Sequence, residues 1–359
     1  MTSWRIEGLF LPEGRPGAGG IDDQGHWLPA PPDGGEPIPG RFVLPGLVDA
    51  HSHLTIGDGG ADGWPRPLTF DEARANLTRA HETGVTVIRD LGSPDSMALR
   101  LLEEPDSAGL IVCGRFLAPQ NRYFPALHTP VSPETLVESA RAEIRAGARW
   151  VKLIGDFPLV GRGSMRPADA VPTYSVEDVR RLVEDVHRAG ARVAAHTTTA
   201  FAGDLVRAGV DSVEHGDGMS EADVAALAKR DGAWTPTLCA SIVERPGEDP
   251  DRRRRRMERR ERIGHLLRLA RSLNLTILTG TDVVGSMAGE VALLVELGLT
   301  PEEALSAAST AASDFLGVPG LRPGRPANLV SYHGDPRDDP EVLARPAAVF
   351  VAGRRIPVV

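Results

Sequence analysis

Cysteine is scarce in this sequence. Cys113 and Cys239 are the only two, and they lie far apart in the chain. A disulfide framework is therefore excluded, and each thiol is expected to be a small buried hydrophobe in a reducing compartment. Long apolar runs are lacking too: no window is apolar enough to span a bilayer, and Met1 to Arg5 does not begin a secretory leader. These features predict a soluble, cytoplasmic protein with no membrane partner. Positive charge is not in excess, and a formal net charge of -9 argues against general affinity for nucleic acid. The one basic run, Arg252 to Arg256, continues into Glu258, Arg259, Arg260, Glu261 and Arg262, a mixture expected on the wet face of a helix. No Gly-x-Gly-x-x-Gly fingerprint follows the first predicted strand, which weakens a dinucleotide-binding reading. A small-molecule substrate is the expected partner, with assembly into a homo-oligomer left open.

What the sequence does contain is a recurring local pattern. With 359 residues it can bury a substantial core and hold one large catalytic domain plus a small accessory unit. From about residue 69 onward, a capping residue, an amphipathic helix, a glycine and a short apolar strand follow one another repeatedly. Thr69 with Glu72, Ser175 with Asp178, Ser220 with Asp223 and Thr300 with Glu303 stand at capping-box spacing, and Ser132 before Pro133 marks another helix start. Gly84, Gly147, Gly190, Gly209 and Gly232 close helices just before strands, where a left-handed residue is usual. The strands so delimited are 43–50, 85–90, 109–113, 149–155, 191–196, 210–215, 232–237 and 275–282. Eight strands separated by helices predict an α/β fold, a closed (β/α)8 TIM barrel over residues 45–321. The two ends, 1–44 and 322–359, are rich in glycine and proline and carry short β-like runs, which predicts a small β-sandwich built by both termini.

The chemistry concentrates at the predicted strand ends. Val43-Leu-Pro-Gly-Leu-Val-Asp-Ala-His51-Ser-His53 is an apolar strand finishing in two histidines one residue apart. Residues i and i+2 of a strand project the same way, so both imidazoles can chelate one divalent ion at the catalytic end of a barrel. Alone, His-x-His is a weak signal. Lys152 sits inside the apolar strand Trp150-Val-Lys-Leu-Ile, where an unpaired ammonium is costly to bury. His196 ends Val193-Ala-Ala-His, His215 ends Ser212-Val-Glu-His, and Asp282 ends Leu278-Thr-Gly-Thr-Asp. Each singly reads as a satisfied polar group, but a barrel brings all these ends to one mouth.

This set resembles the amidohydrolase superfamily, whose pattern is His-x-His on strand 1, Lys on strand 4, His on strands 5 and 6, and Asp on strand 8. The likeness covers nearly the whole chain. It is closest to the branch of prolidase-like metallocarboxypeptidases and imidazolonepropionase-related proteins, through Val85-Thr-Val-Ile-Arg-Asp90, Ser212-Val-Glu-His-Gly216, Trp234-Thr-Pro-Thr237 and the segment ending at Asp282. The resemblance implies that Lys152 is carbamylated by CO2 and bridges two divalent metal ions, zinc first among them. His51, His53 and Asp282 would complete one site, and His196 with His215 the other, with a bridging hydroxide between the ions. The one-metal branch carries a glutamate shortly after the strand-5 histidine; here Thr197, Thr198 and Thr199 follow His196, which favours the two-metal form. The implied reaction is hydrolysis of an amide, peptide-like, N-acyl or cyclic-amide C–N bond, with Asp282 shuttling the proton to the leaving nitrogen and His215 and Lys152 beside it. Ester, lactone or phosphotriester hydrolysis on the same site, or a metal-free scaffold without catalysis, are the alternatives.

Substrate contacts are expected on the loops above the metals. Candidates are Tyr123 and His128 in the segment after strand 3, Arg89 near the end of strand 2, and the loop 156–174 with Arg162 and Arg166 as a lid. Arg89 has an internal salt bridge to a barrel carboxylate as its competing reading. Thr198 stands where the prolidase-like enzymes place a tyrosine that contacts the substrate carboxylate. His26, His81, His187, His265 and His333 are expected to be structural or surface groups.

Overall fold

The computed structural model describes residues 2–59, 64–160, 169–318 and 320–358. Short apolar segments between helices form strands β1 (Leu47–Ser52), β2 (Val85–Asp90), β3 (Leu110–Val112), β4 (Trp150–Ile154), β5 (Arg192–Thr197), β6 (Ser212–His215), β7 (Ala233–Thr235) and β8 (Thr276–Ile277). They pair in parallel from β1 to β3 and from β4 to β8. Two seams close the ring, the first also paired in parallel between Phe116–Leu117, just beyond β3, and Lys152–Leu153 of β4. Arg149 N donates to Val112 O (3.3 Å) between β3 and β4, while Ala50 N donates to Thr279 O (2.9 Å) and Asp282 N to His51 O (2.7 Å) between β8 and β1. The result is the expected (β/α)8 barrel.

Alternation along the strands sorts their side chains. Val48, Ala50, Val87, Ile111, Cys113, Trp150, Ala194, Ala233 and Leu278 fill the interior, closed from below by Ala312 and Leu316. The intervening residues, among them Leu47, Ile88, Val112, Val151, Leu153, Val193 and Val213, face the surrounding helices. All four anticipated capping boxes form, at Thr69, Ser175, Ser220 and Thr300. Ser132 precedes a short 3-10 turn, Pro133–Thr135, without a side-chain cap bond. At the stop before β7 the left-handed residue is Asp231 (φ +53) rather than Gly232. Gly232 serves space instead, because a Cβ there would meet Leu227 Cδ1 at 2.4 Å.

The expected first strand is two strands. Phe42–Leu44 joins the terminal sheet and Leu47–Ser52 the barrel. Between them Gly46 adopts φ +91, and a Cβ on it would meet Thr86 Oγ1 at 2.1 Å. Both termini build one sheet of eight strands among the described residues. It curls so that Trp27 N reaches Arg325 O (2.8 Å) and Ala327 N reaches Gly25 O (2.9 Å). The eighth barrel strand is short, and its continuation to Asp282 is held by the bonds at the seam rather than by regular pairing.

The basic run lies in helix Pro250–Ser272, where Arg252 pairs with Asp249 and Arg254 with Asp251 at exposed positions. Among the described residues no helix is long and apolar enough to cross a membrane.

Candidate metal centre

The parallel barrel brings the six sequence-predicted residues to one mouth. His51, His53, Lys152, His196, His215 and Asp282 line a cavity of about 120 Å3 together with Ile56, Pro65, Tyr123, Phe124, Leu127 and Val283. The rings of His51 and His53 are 5.3 Å apart, those of His51 and His215 5.0 Å, and those of His196 and His215 4.6 Å. One ligand atom each from His51, His215 and Asp282 falls within 4.8 Å of the others. His53 Nε2 is 3.7 Å from Asp282 Oδ1.

Local backbone geometry makes this possible. Alternation puts Ser212 and Glu214 of β6 inside the barrel and would turn His215 toward the helices. His215 instead adopts φ +63, and Asp282 φ +55, conformations uncommon for residues with a Cβ. The kink swings each side chain over the mouth. A register irregularity in β1 between Asp49 and Ser52 does the same for His51 and His53.

Three imidazoles are oriented by a bond at Nδ1. His51 Nδ1 donates to Glu214 Oε2 (2.8 Å), His53 Nδ1 to Gly92 O (3.0 Å) and His215 Nδ1 to Thr237 Oγ1 (2.7 Å), whose own hydroxyl donates to Pro236 O. This fixes the tautomer that leaves Nε2 free, the arrangement metal-binding histidines use. Burial, reinforced by the Lys152 charge, lowers the pKa of His53 to about 3 and that of His196 to about 4. Burial likewise holds His51 and His215 well below the ordinary imidazole range. Neutral imidazoles are what a cation requires. Lys152 is 1 % exposed, and its Nζ finds no hydrogen-bond partner among the described residues. Burial pushes its pKa down and that of Asp282 up. Four neutral imidazoles, a carboxylate and an orphaned buried amine form a donor set that fits divalent metal.

The outer candidates are placed less uniformly. Tyr123 lines the cavity, packed on Phe116 and Phe157 at centroid distances of 4.7 and 5.0 Å, and burial raises its phenol above the ordinary range. Arg89 does not reach the cavity. It is fully buried in the barrel interior and bonded to Glu214, so the internal salt bridge is the reading that holds. His128 is turned into its own loop, with Nδ1 at 2.9 Å from Phe124 O and Nε2 at 3.3 Å from Pro119 O. Thr198 is committed to Asp156 through its amide (2.9 Å) and hydroxyl (3.1 Å). Both residues are thus engaged within the protein, His128 with backbone carbonyls of its own loop and Thr198 with a buried carboxylate. Arg162 and Arg166 lie outside the described residues. Of the remaining histidines, His81 is buried between Val85 O and Asp106 O, while His187 and His265 pair with Asp211 and Glu221.

Two residues of the site were not singled out from sequence. Glu214 orients His51, and its signal is the one that drew attention to Lys152: a charge inside an apolar strand. Asp156 holds the Thr197-Thr198-Thr199 turn, which the run of three threonines foreshadows.

The sequence pattern of the amidohydrolase family matches residues 42–356. An uncharacterized protein of Mycobacterium tuberculosis (strain ATCC 25618 / H37Rv) is 34% identical over 329 residues, covering 88% of this chain and 85% of that protein. An imidazolonepropionase of Salinispora arenicola is 26% identical over 342 residues, covering 84% of this chain and 80% of its own. Among solved structures, a prolidase complexed with N-methylphosphonate-L-proline superposes with a TM-score of 0.80 at 22% identity, covering 99% of both chains. Fold and family pattern agree over most of the chain: this protein belongs to the amidohydrolase family and is a hydrolytic enzyme.

Proposed function

We propose that the protein hydrolyses a C–N bond in an amide, N-acyl, peptide-like or cyclic-amide substrate, using two divalent metal ions, zinc in the first instance. The observation that carries this reading is Lys152 Nζ, buried without a partner amid four neutral imidazoles. An ammonium there is costly; carbamylation by CO2 converts it to a carboxylate that His51, His53, His196, His215 and Asp282 complement as metal ligands. When bound, the ions supply Lewis acidity, polarising the scissile carbonyl and acidifying the attacking water.

The chain's own groups do the rest. Asp282, made more basic than an ordinary carboxylate by burial, takes the proton from the nucleophile and delivers it to the leaving nitrogen. The rest of the lining, which includes Ile56, Tyr123, Phe124, Leu127 and Val283, is largely apolar and favours a substrate with an apolar group beside the scissile bond. The likenesses to a prolidase and an imidazolonepropionase agree with this bond class. Two free cysteines fit work in the reducing cytoplasm.

The test is metal analysis of the purified protein followed by a hydrolysis screen of the zinc-loaded enzyme with bicarbonate present. The panel spans N-acyl amino acids, dipeptides, cyclic amides, lactones and phosphotriesters. Two metals per chain and turnover of an amide are expected. Turnover of lactones or phosphotriesters alone would replace the C–N assignment, and absence of both metal binding and activity would leave a non-catalytic scaffold.

A further inference from the structure

Beneath the ligands, the barrel interior holds a charged pair that the proposed chemistry does not use. Arg89 projects from β2 and Glu214 from β6, strands on opposite sides of the ring, and both side chains are 0% exposed. The guanidinium crosses the interior. Its Nη2 donates to Glu214 Oε1 (3.0 Å), its Nη1 to Ser212 Oγ (3.1 Å) and its Nε to Ala50 O (2.6 Å). Its carbon lies 4.4 Å from the centre of the Trp150 ring. Ser212 Oγ donates to the same Glu214 Oε1 (2.5 Å). The other oxygen, Oε2, is left for one group, His51 Nδ1 at 2.8 Å.

Burying such a pair carries a large desolvation cost, and apolar side chains of similar size often hold a core as well. What they cannot do is aim a carboxylate oxygen at one ligand. Arg89 fixes the carboxylate at Oε1, and its two other donors, to Ser212 Oγ and Ala50 O, fix the planar guanidinium itself.

We propose that Arg89 and Glu214 are positioning residues of the metal centre: Glu214 sets the His51 ring with Nε2 toward the cavity, and Arg89, by holding Oε1, keeps Oε2 of Glu214 aimed at His51. This inference rests on the metal-dependent reading of the site, and it concerns only how the chain prepares its ligands.

The experiment compares metal-free wild type with Glu214→Gln in two measurements: zinc affinity by competition with a chromophoric chelator, and thermal unfolding without metal. Loss of the orienting carboxylate is expected to weaken zinc binding about 10- to 100-fold. The cobalt-loaded variant is expected to show a shifted visible ligand-field spectrum. Wild-type affinity and spectrum in Glu214→Gln, whatever its unfolding temperature, would make the pair a purely structural tie and overturn the proposal. Where that variant does not fold, Arg89→Lys replaces it, keeping the charge but giving up the fork. A loss of about 3- to 10-fold in affinity is then expected, and unchanged affinity overturns the idea equally. Wild-type protein that binds no zinc defeats the metal reading itself, and this inference with it, an outcome distinct from both variants.

Discussion

Two side chains of the candidate centre owe their position to a single dihedral angle. His215 and Asp282 take left-handed backbone conformations at φ +63 and +55, each costing about 1–3 kcal/mol relative to relaxed backbone. They persist because the surroundings hold them, through His215 Nδ1 to Thr237 and Asp282 N to His51 O. At this scale the proposed chemistry makes two sharp demands. Asp282→Asn keeps size and backbone bond but loses the base, so turnover is expected to fall by more than about a thousandfold with the circular dichroism unchanged; a variant working within tenfold of wild type would remove Asp282 from the proton path. Lys152→Ala is expected to lose bound metal, measured by elemental analysis, and to regain it with acetate or propionate, which stand in for the carbamate. Two retained metals without any added carboxylate would count against carbamylation.

At the scale of elements, the turn after β5 hangs on one carboxylate. Asp156 is fully buried and accepts from the hydroxyls of Thr197, Thr198 and Thr199 and from the amides of the last two. Asp156→Ala leaves several donors unpaired and is expected to cost roughly 2–4 kcal/mol in urea unfolding; a change below about 1 kcal/mol would show that water replaces the clamp. The helices are tied to one another more gently. Arg141 of helix Leu136–Arg145 bonds Asp185 of helix Val176–Arg188 at 2.5 and 2.8 Å. Those bonds hold the Asp185 carboxyl below its usual 3.8. A depressed carboxylate contributes stability that is present above its unfolded pKa and disappears as pH falls through the folded one. Asp185→Asn is therefore expected to flatten stability against pH below about pH 4, an effect reduced by solvent screening of the half-exposed Arg141. Parallel acid limbs for variant and wild type would exclude the contribution.

For the whole molecule, the terminal sheet keeps a core of its own but also packs residues into the core around the barrel. Leu44, Val330, Tyr332, Val349 and Val351 of the sheet pack in the same cluster as Leu77 and Val85 of the barrel layer. Anything that stabilises the mouth therefore stabilises the chain as a unit. Metal that binds only the folded protein adds stability by linkage, about 2.7 kcal/mol at a hundred times its dissociation constant. Removing metal with a chelator is expected to lower the unfolding temperature by several degrees, with recovery on adding zinc and bicarbonate together. An unfolding temperature indifferent to chelation would mean that no metal contributes to the folded state.

Much of this was legible in the residues themselves, because it rests on local physics. A Ser or Thr three residues before Asp or Glu caps a helix whatever surrounds it, and apolar segments after glycine stops become strands for the same reason; hence the α/β order, the barrel and the six strand-end residues could be read along the chain. What the chain could not reveal is what depends on neighbours far away in sequence. That Thr198 meets a buried carboxylate is decided by Asp156, 42 residues before it. Whether Arg89 serves the mouth or the interior is decided by Glu214, 125 residues further on. The strand that ends in His51 and His53 was visible, and so was a boundary near Pro45; that residues 43 and 44 leave the barrel to pair in the terminal sheet was not, since it depends on partners near the far end of the chain. Periodicity reports the face a residue prefers, and only the folded barrel, by bending the backbone at His215 and Asp282, determines which atoms meet at its mouth.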